Sequence, residues 1–389
     1  MRWSSRLASV QPFRVMGLLE EAQALEAAGA DVIHLEVGEP DFATPAPVVA
    51  AGQQALAEGR TRYTPAAGLP ALREAISGHY HEHFGARVDP ARIIVTPGAS
   101  GALLLASQLL VEHGDRVLMA DPNYPCNRHF MSMAGAELDC VTVGDDSGWQ
   151  LDATLIERHW RDDTRLAMLA SPSNPTGHML DAAQLTAVAE AVTARGGELL
   201  VDEIYQGLSY DLEPLSATAL APEAFVVNSF SKYFGMTGWR LGWLVAPEAA
   251  VEPLTRLAQN VFLAAATPSQ YAALAAFTPE CREILEAQRR ELGRRRDALL
   301  AGLARLGLAP SLTPQGAFYV WLDISRYSRD SQAFCRRLLA EEGVAITPGI
   351  DFAVRGGEHH VRIAFTNDVA RLEEALMRLE RFLTRLQEA

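Results

Sequence analysis

Short apolar runs alternate with stretches of helical periodicity through the first 280 residues. Ile93-Ile94-Val95-Thr96 passes through Pro97-Gly98 into a helix-like stretch over 102–112. Further runs occupy 116–120, 138–143, 166–170, 198–202, 225–228 and 241–245. They lack the strict alternation of a half-exposed strand, so they predict strands covered on both faces of a largely parallel sheet. Asn174, Asp202 and Lys232 end or follow such runs. In open α/β sheets the ligand crevice lies beyond the carboxyl ends of the strands.

The texture changes after residue 280. A charged amphipathic pattern over 280–306 predicts a long helix leading into a smaller α+β unit. Its strands are expected at 316–322 and 360–365, with a closing helix over 368–387. No internal repeat or low-complexity segment is visible.

Composition narrows the function classes. With 49% apolar and 21% charged residues in 389, the chain suits a globular protein of about two domains. A net charge of −14 argues against a nucleic-acid or anionic-lipid partner. No apolar stretch approaches the roughly 18 residues of a membrane span, and no signal peptide is visible. Cys126, Cys140, Cys281 and Cys335 show no metal-ligand spacing and read as reduced thiols of a cytoplasmic protein.

One basic residue stands apart. Lys232, in Asn228-Ser229-Phe230-Ser231-Lys232, is the single lysine; the other 33 basic side chains are arginines. Guanidinium stays protonated, whereas a lysine amine with a lowered pKa can form a Schiff base with a carbonyl. A lysine-poor composition with one chance survivor is the bland alternative.

Other pieces are individually weak. Thr96-Pro97-Gly98-Ala99-Ser100-Gly101 joins a strand to a helix, where small residues let N–H groups approach an anion. A plain tight turn would read the same. Asp202 ends an apolar strand, either as a helix N-cap or as counter-ion to a protonated heterocycle. Asn174-Pro175-Thr176-Gly177 is a common turn sequence, and Arg240 is either a phosphate clamp or a surface arginine.

Taken together, their order and spacing resemble the class I/II pyridoxal-phosphate (PLP) aminotransferases of fold-type I, the aspartate aminotransferase superfamily. The resemblance spans nearly the whole chain. It rests on Gly38-Glu39-Pro40-Asp41, Tyr63 with its flanks, Asn123-Tyr124-Pro125, Asn174-Pro175-Thr176-Gly177, Asp202-Glu203-Ile204-Tyr205, Ser229-Phe230-Ser231-Lys232 with Gly238-Trp239-Arg240-Leu241-Gly242, and Arg362. The Ser-x-Ser-Lys element followed by Gly-x-Arg-x-Gly is the most specific part.

The resemblance implies an α/β large domain with a mostly parallel seven-stranded sheet plus a smaller α+β domain. The expected division is an N-terminal arm and part of the small domain over 1–45, a PLP-binding domain over 46–280, and a linking helix with the C-terminal small domain over 281–389. Lys232 would hold PLP as a Schiff base and act as proton carrier. Asp202 would pair with the pyridine nitrogen, Tyr205 and Asn174 would hydrogen-bond the ring oxygen, and Tyr124 would stack on the ring. Phosphate would meet Ala99, Ser100, Ser229 and Arg240. Arg362 would grip the substrate α-carboxylate, helped by Gly38 and Asn174. Tyr63 resembles a tyrosine that reaches the neighbouring subunit's phosphate, implying a homodimer with shared active sites. No metal is implied.

Some aspartate-specific members place a lysine in the phosphate-loop region; here Ser100 occupies that position. The expected donor is therefore an amino acid with a neutral side chain, or a broad set, with 2-oxoglutarate or pyruvate as the 2-oxo acid acceptor. Two rivals carry over. A PLP-dependent carbon–sulfur β-lyase would share the site residues. A non-catalytic PLP-binding regulator would need a basic DNA-binding segment, for which motifs starting at residue 37 leave no room.

Overall fold

A computed structural model of the chain describes residues 1–388 except 5, 8, 9 and 214. Twelve strands form among these: β1 (Ile33–His34), β2 (Ile93–Thr96), β3 (Arg116–Asp121), β4 (Glu137–Thr142), β5 (Thr164–Ala170), β6 (Glu198–Asp202), β7 (Phe225–Ser229), β8 (Gly242–Val245), β9 (Tyr319–Asp323), β10 (Val344–Ala345), β11 (Thr347–Pro348) and β12 (His360–Ala364). Seven build the central sheet in the order β2-β8-β7-β6-β5-β3-β4. All run the same way except β8, which is antiparallel to both neighbours.

Continuous apolar runs suit this sheet because each face has its own core. Along β5, Leu166 and Met168 enter one core while Ala167 and Leu169 enter the other. Helices Gly98–Leu110 and Glu248–Val261 cover the first through Leu105, Ala106 and Leu254. Helices Pro70–Phe84 and Ala182–Ala194 cover the second through Leu72, Ile76, Leu185 and Val188. Two-sided burial removes the pressure for polar alternation.

The parallel strands deliver their carboxyl ends to one edge. Ala170 pairs with Asp202 there, and Gly242, opening β8, pairs with both Thr96 and Ser229. The helix start carrying Ala99 and the loops carrying Asn174, Lys232 and Arg240 therefore lie side by side at this edge.

Beyond the sheet, β11, β12 and β9 form an antiparallel trio, and β1 pairs in parallel with β10. Helix Pro279–Arg305 starts at Thr278, whose hydroxyl accepts the Cys281 N–H, with Pro279 in the first turn. Its buried Arg295 bonds Asp41 Oδ1 at 2.7 Å and the Thr366 carbonyl at 2.5 Å, over the Phe42 ring. One guanidinium thus joins the N-terminal stretch to the segment after β12.

Most boundaries differ from the expectation by no more than one or two residues, and two starts differ by more. The helix expected over 102–112 begins at Gly98 instead, because Pro97 supplies the break and tertiary packing outweighs the poor helix propensity of Gly98 and Gly101. The strand expected from residue 316 begins at Tyr319. Ala317 adopts φ 56° and Gly316 bridges to Ser209, so the chain bends before it extends. Among the described residues no helix is long and apolar enough to cross a membrane, and no group of three or more His, Cys, Asp or Glu is placed to hold a metal. The four cysteines are unpaired.

Candidate active site

A cavity of about 250 Å³ opens at the carboxyl edge of the sheet. Of the positions singled out from sequence, it brings together Gly38, Ala99, Ser100, Tyr124, Asn174, Asp202, Tyr205, Ser229, Lys232, Arg240 and Arg362. Tyr63 is not among them; it stands 84% exposed on the loop before helix Pro70–Phe84.

Lys232 projects into this space, and its Nζ donates to the Gly38 carbonyl at 2.6 Å. Desolvation lowers the ammonium pKa from 10.5 to about 8, partly opposed by the charge of Glu39. The neutral amine is therefore accessible near physiological pH, as a nucleophile or base requires.

Asp202 is 4% exposed. Its oxygens accept from the Ile204 N–H at 3.1 Å and from Asn127 Nδ2 at 3.2 Å. The stretch after Asp202 is a turn and not a helix, so the expected helix cap is replaced by a turn contact to Ile204. Burial raises its pKa, and no cationic side chain among the described residues forms an ion pair with it. A buried carboxylate served only by neutral donors suits a cationic ligand group.

The opposite end of the cavity suits an anion. Helix Gly98–Leu110 points its first turn inward, with the Ala99 and Ser100 N–H groups lacking intrahelical partners. Gly98 has φ +70°, and a β-carbon there would sit 2.8 Å from Arg240 Nη2. A β-carbon on Gly242 would meet the Ala99 nitrogen at 2.7 Å. Glycine at both positions lets the Arg240 guanidinium close over the helix start. Arg240 donates to the Thr237 carbonyl at 3.1 Å and has no carboxylate partner among the described residues.

Arg362 is 3% exposed and lies between two rings, 4.2 Å from the centre of Tyr319 and 4.6 Å from Phe352. Its Nη1 donates to Asn174 Oδ1 at 3.0 Å, and its Nη2 to the Glu36 carbonyl at 2.5 Å and Thr347 Oγ1 at 3.2 Å. No carboxylate neutralises it among the described residues. An uncompensated, oriented guanidinium is a receptor for a carboxylate.

Several participants carried no signal in the sequence. Tyr319 supports Arg362, and its hydroxyl hydrogen-bonds that of Tyr205 at 2.8 Å. A β-carbon on Gly38 would collide with the same hydroxyl, so Gly38 answers to Tyr319. Asn127 lies three residues beyond Tyr124, a spacing that places both on one side of a helix start, yet nothing local marks it as the partner of Asp202.

A buried acid, a desolvated lysine, a helix start with an arginine over it and a carboxylate-seeking arginine define a PLP enzyme's site on an α/β scaffold, and the donor set fits that cofactor. Over residues 30–379 the chain matches aminotransferase class I and II, and it belongs to this family. It is 39% identical to valine–pyruvate aminotransferase of Mycobacterium tuberculosis, over 97% of both chains. It is 35% identical to aspartate/prephenate aminotransferase of Thermus thermophilus, over 98% of this chain and 99% of that one. A crystal structure of an aminotransferase from Mycobacterium tuberculosis superposes with a TM-score of 0.95, at 38% identity, over 99% of this chain and 100% of that chain. The fold is fold-type I, and the protein is a PLP-dependent transaminase that acts on small amino and 2-oxo acids.

Proposed function

We propose that this transaminase takes amino donors with neutral, mainly apolar side chains and passes the amino group to pyruvate or 2-oxoglutarate. The observation that carries this reading is the charge of the cavity lining. Lys232, Arg240 and Arg362 are its cationic side chains among the described residues, and none is free for a distal carboxylate if they hold the roles below. The rest of the wall includes Phe13, Val15, Met16, Leu19 and Phe130. Burial of a donor's methylenes there contributes about 0.8 kcal/mol each. The Mycobacterium tuberculosis relative, a valine–pyruvate aminotransferase, agrees with this; the Thermus relative is an aspartate/prephenate aminotransferase.

Bound PLP supplies an electron sink for the pair left when the donor's α-carbon loses its proton. Lys232 Nζ takes that proton and later returns it, moving within a space kept dry by Tyr124, Tyr205 and Tyr319. Asp202 holds positive charge on the cofactor's ring nitrogen, with Asn127 orienting the carboxylate. Tyr205 and Asn174, both in the cavity lining, would hydrogen-bond the ring oxygen. Ala99 and Ser100 N–H groups, the Ser229 hydroxyl and Arg240 hold the phosphate. Arg362, steadied by Asn174 and backed by the Gly38 segment, orients the α-carboxylate.

The test is a donor panel on PLP-loaded enzyme. Leucine, phenylalanine and alanine are expected to convert the cofactor absorbance to its amine form faster than aspartate, by about ten-fold or more in kcat/KM. Aspartate as the best donor would overturn the reading. Pyruvate and ammonia from a cysteine conjugate, without an oxo acid present, would point to β-elimination instead.

We also read residues 46–280 as the large domain, and 1–45 with 281–389 as the small one, supported by the β1–β10 pairing. The active unit is taken to be a cytoplasmic homodimer in which Tyr63 reaches the partner's phosphate site. Its loop is pinned: Thr267 Oγ1 donates to the Arg62 carbonyl at 2.6 Å and Gln270 Nε2 to Thr64 Oγ1 at 3.0 Å. An exposed tyrosine on a braced loop, with Leu56 and Leu263 also exposed, suits a protein contact. Light scattering is expected to give twice the 42.3 kDa chain mass. A fully active monomer would sink this part.

A further inference from the structure

The apolar side of the cavity comes from helix Arg14–Ala27 and from Phe13 just ahead of it. Phe13 provides no side-chain cap, which leaves the first N–H groups of the helix to find partners elsewhere. Asp351 supplies them. Its Oδ1 accepts the Arg14 N–H at 3.1 Å and its Oδ2 the Val15 N–H at 2.8 Å. The residue is 6% exposed. A carboxylate is the group that the positive end of a helix favours, and buried charge-assisted bonds of this kind are the strong ones. The Arg14 guanidinium contributes less: it is half exposed, 4.0 Å from the carboxylate, and donates to Gln332.

Asp351 is itself held firmly. Arg128 donates to the carbonyls of Asp351 and Phe352 at 3.0 and 2.8 Å, and the Asn123 N–H also donates to Phe352 at 3.1 Å. The Phe352 ring packs on the Arg362 guanidinium. Two adjacent residues outside the cavity therefore brace groups that line it: Phe352 packs on Arg362, and Asp351 holds the helix that carries the apolar wall. Phe13 meets Tyr124 edge-on at 6.2 Å, so the wall is seated against the ring that faces the cofactor space.

We propose that Asp351 is a positioning residue for side-chain selectivity: by holding the first turn of helix Arg14–Ala27, it sets the distance between the Phe13, Met16 and Leu19 wall and Arg362. That distance fixes the length of apolar side chain the cavity accepts. The inference rests on the apolar-donor reading above. Alanine reaches Arg362 without using the wall, whereas leucine and phenylalanine need it.

PLP-loaded wild type, Asp351→Ala and Asp351→Asn are compared with alanine, leucine and phenylalanine as donors, and amide hydrogen exchange is followed over residues 10–20. Asp351→Ala is expected to lower kcat/KM for leucine and phenylalanine about ten-fold, chiefly through KM, and for alanine by about two-fold or less. Exchange at Arg14 and Val15 is expected to quicken by about ten-fold or more. Asp351→Asn keeps one of the two acceptor oxygens and loses the charge, so both effects should be intermediate, with the selectivity pattern the same. If the alanine variant does not fold, the asparagine variant carries the test with smaller shifts of the same pattern. Equal losses for all three donors, or unchanged exchange at Arg14 and Val15, would overturn the proposal while the donor reading stands. A wild type that prefers aspartate would remove the donor reading and this selectivity role together.

Discussion

Lys232→Arg keeps a positive charge in the cavity and loses transamination. Arginine stays protonated at any pH the protein survives, so it neither adds to a carbonyl nor takes a proton from an α-carbon. Proton transfer by a positioned side chain is worth about 10²–10⁴-fold, and loss of covalent capture adds to that. The expected fall in kcat is therefore at least about 10⁴-fold, with no visible absorbance shift when PLP is added. The fold should survive, because the Lys232 Nζ contact to the Gly38 carbonyl is one that a guanidinium can also make. Composition sharpens the measurement. Borohydride reduction of the PLP-loaded wild type should label one side-chain position, since the chain has one lysine. A variant turning over at near the wild-type rate would defeat the assignment of this residue.

Asp202→Asn separates stability from catalysis. Burial raises the Asp202 pKa above its ordinary value, so the cofactor-free fold resists ionising it. That penalty sets in as pH rises through the unfolded carboxyl's value near 3.9 and is complete above the folded one. Asparagine has no charge to lose, so the cofactor-free variant should melt at or above the wild-type temperature at pH 7 to 8. The gain should disappear toward pH 3, where the carboxyl is protonated in both folded and unfolded chains. Loading PLP should reverse the order, because only the carboxylate meets a cationic ring nitrogen. The loaded variant is expected to lose about three orders of magnitude in kcat, the scale of removing a pre-oriented electrostatic group from a dry site. Melting curves with and without PLP, at two pH values, test this directly. Equal stabilisation of both proteins by PLP would place the cofactor's cationic group elsewhere.

Local pattern carried the large sheet well, and the reason lies in the two cores. Leu166 to Leu169 are apolar at consecutive positions because both faces are covered. The strand ends were legible because Asp202 closes an apolar run, while Asn174 and Lys232 lie in short polar stretches that follow other such runs. The glycines at 98 and 242 were less readable. Their necessity comes from Arg240 and from the Ala99 nitrogen, which approach from separate segments. Short pairings such as β1 with β10 hold two residues each and leave no periodicity to detect.

The contrast is sharpest at the two ends of the substrate space. Residue types and spacing along the chain marked Lys232, Asp202 and the helix start at Ala99 and Ser100, which the fold gathers in one cavity, whereas Asn127 beside Asp202 carried no local mark. The substrate end depends on contacts between distant segments. Arg362 is shaped by Glu36, Asn174, Thr347, Tyr319 and Phe352, and the apolar wall by Asp351 holding a helix more than 300 residues earlier in the chain. Hydrogen bonds and ring contacts over such separations leave no periodic trace along the chain, and they form only once the whole chain has folded.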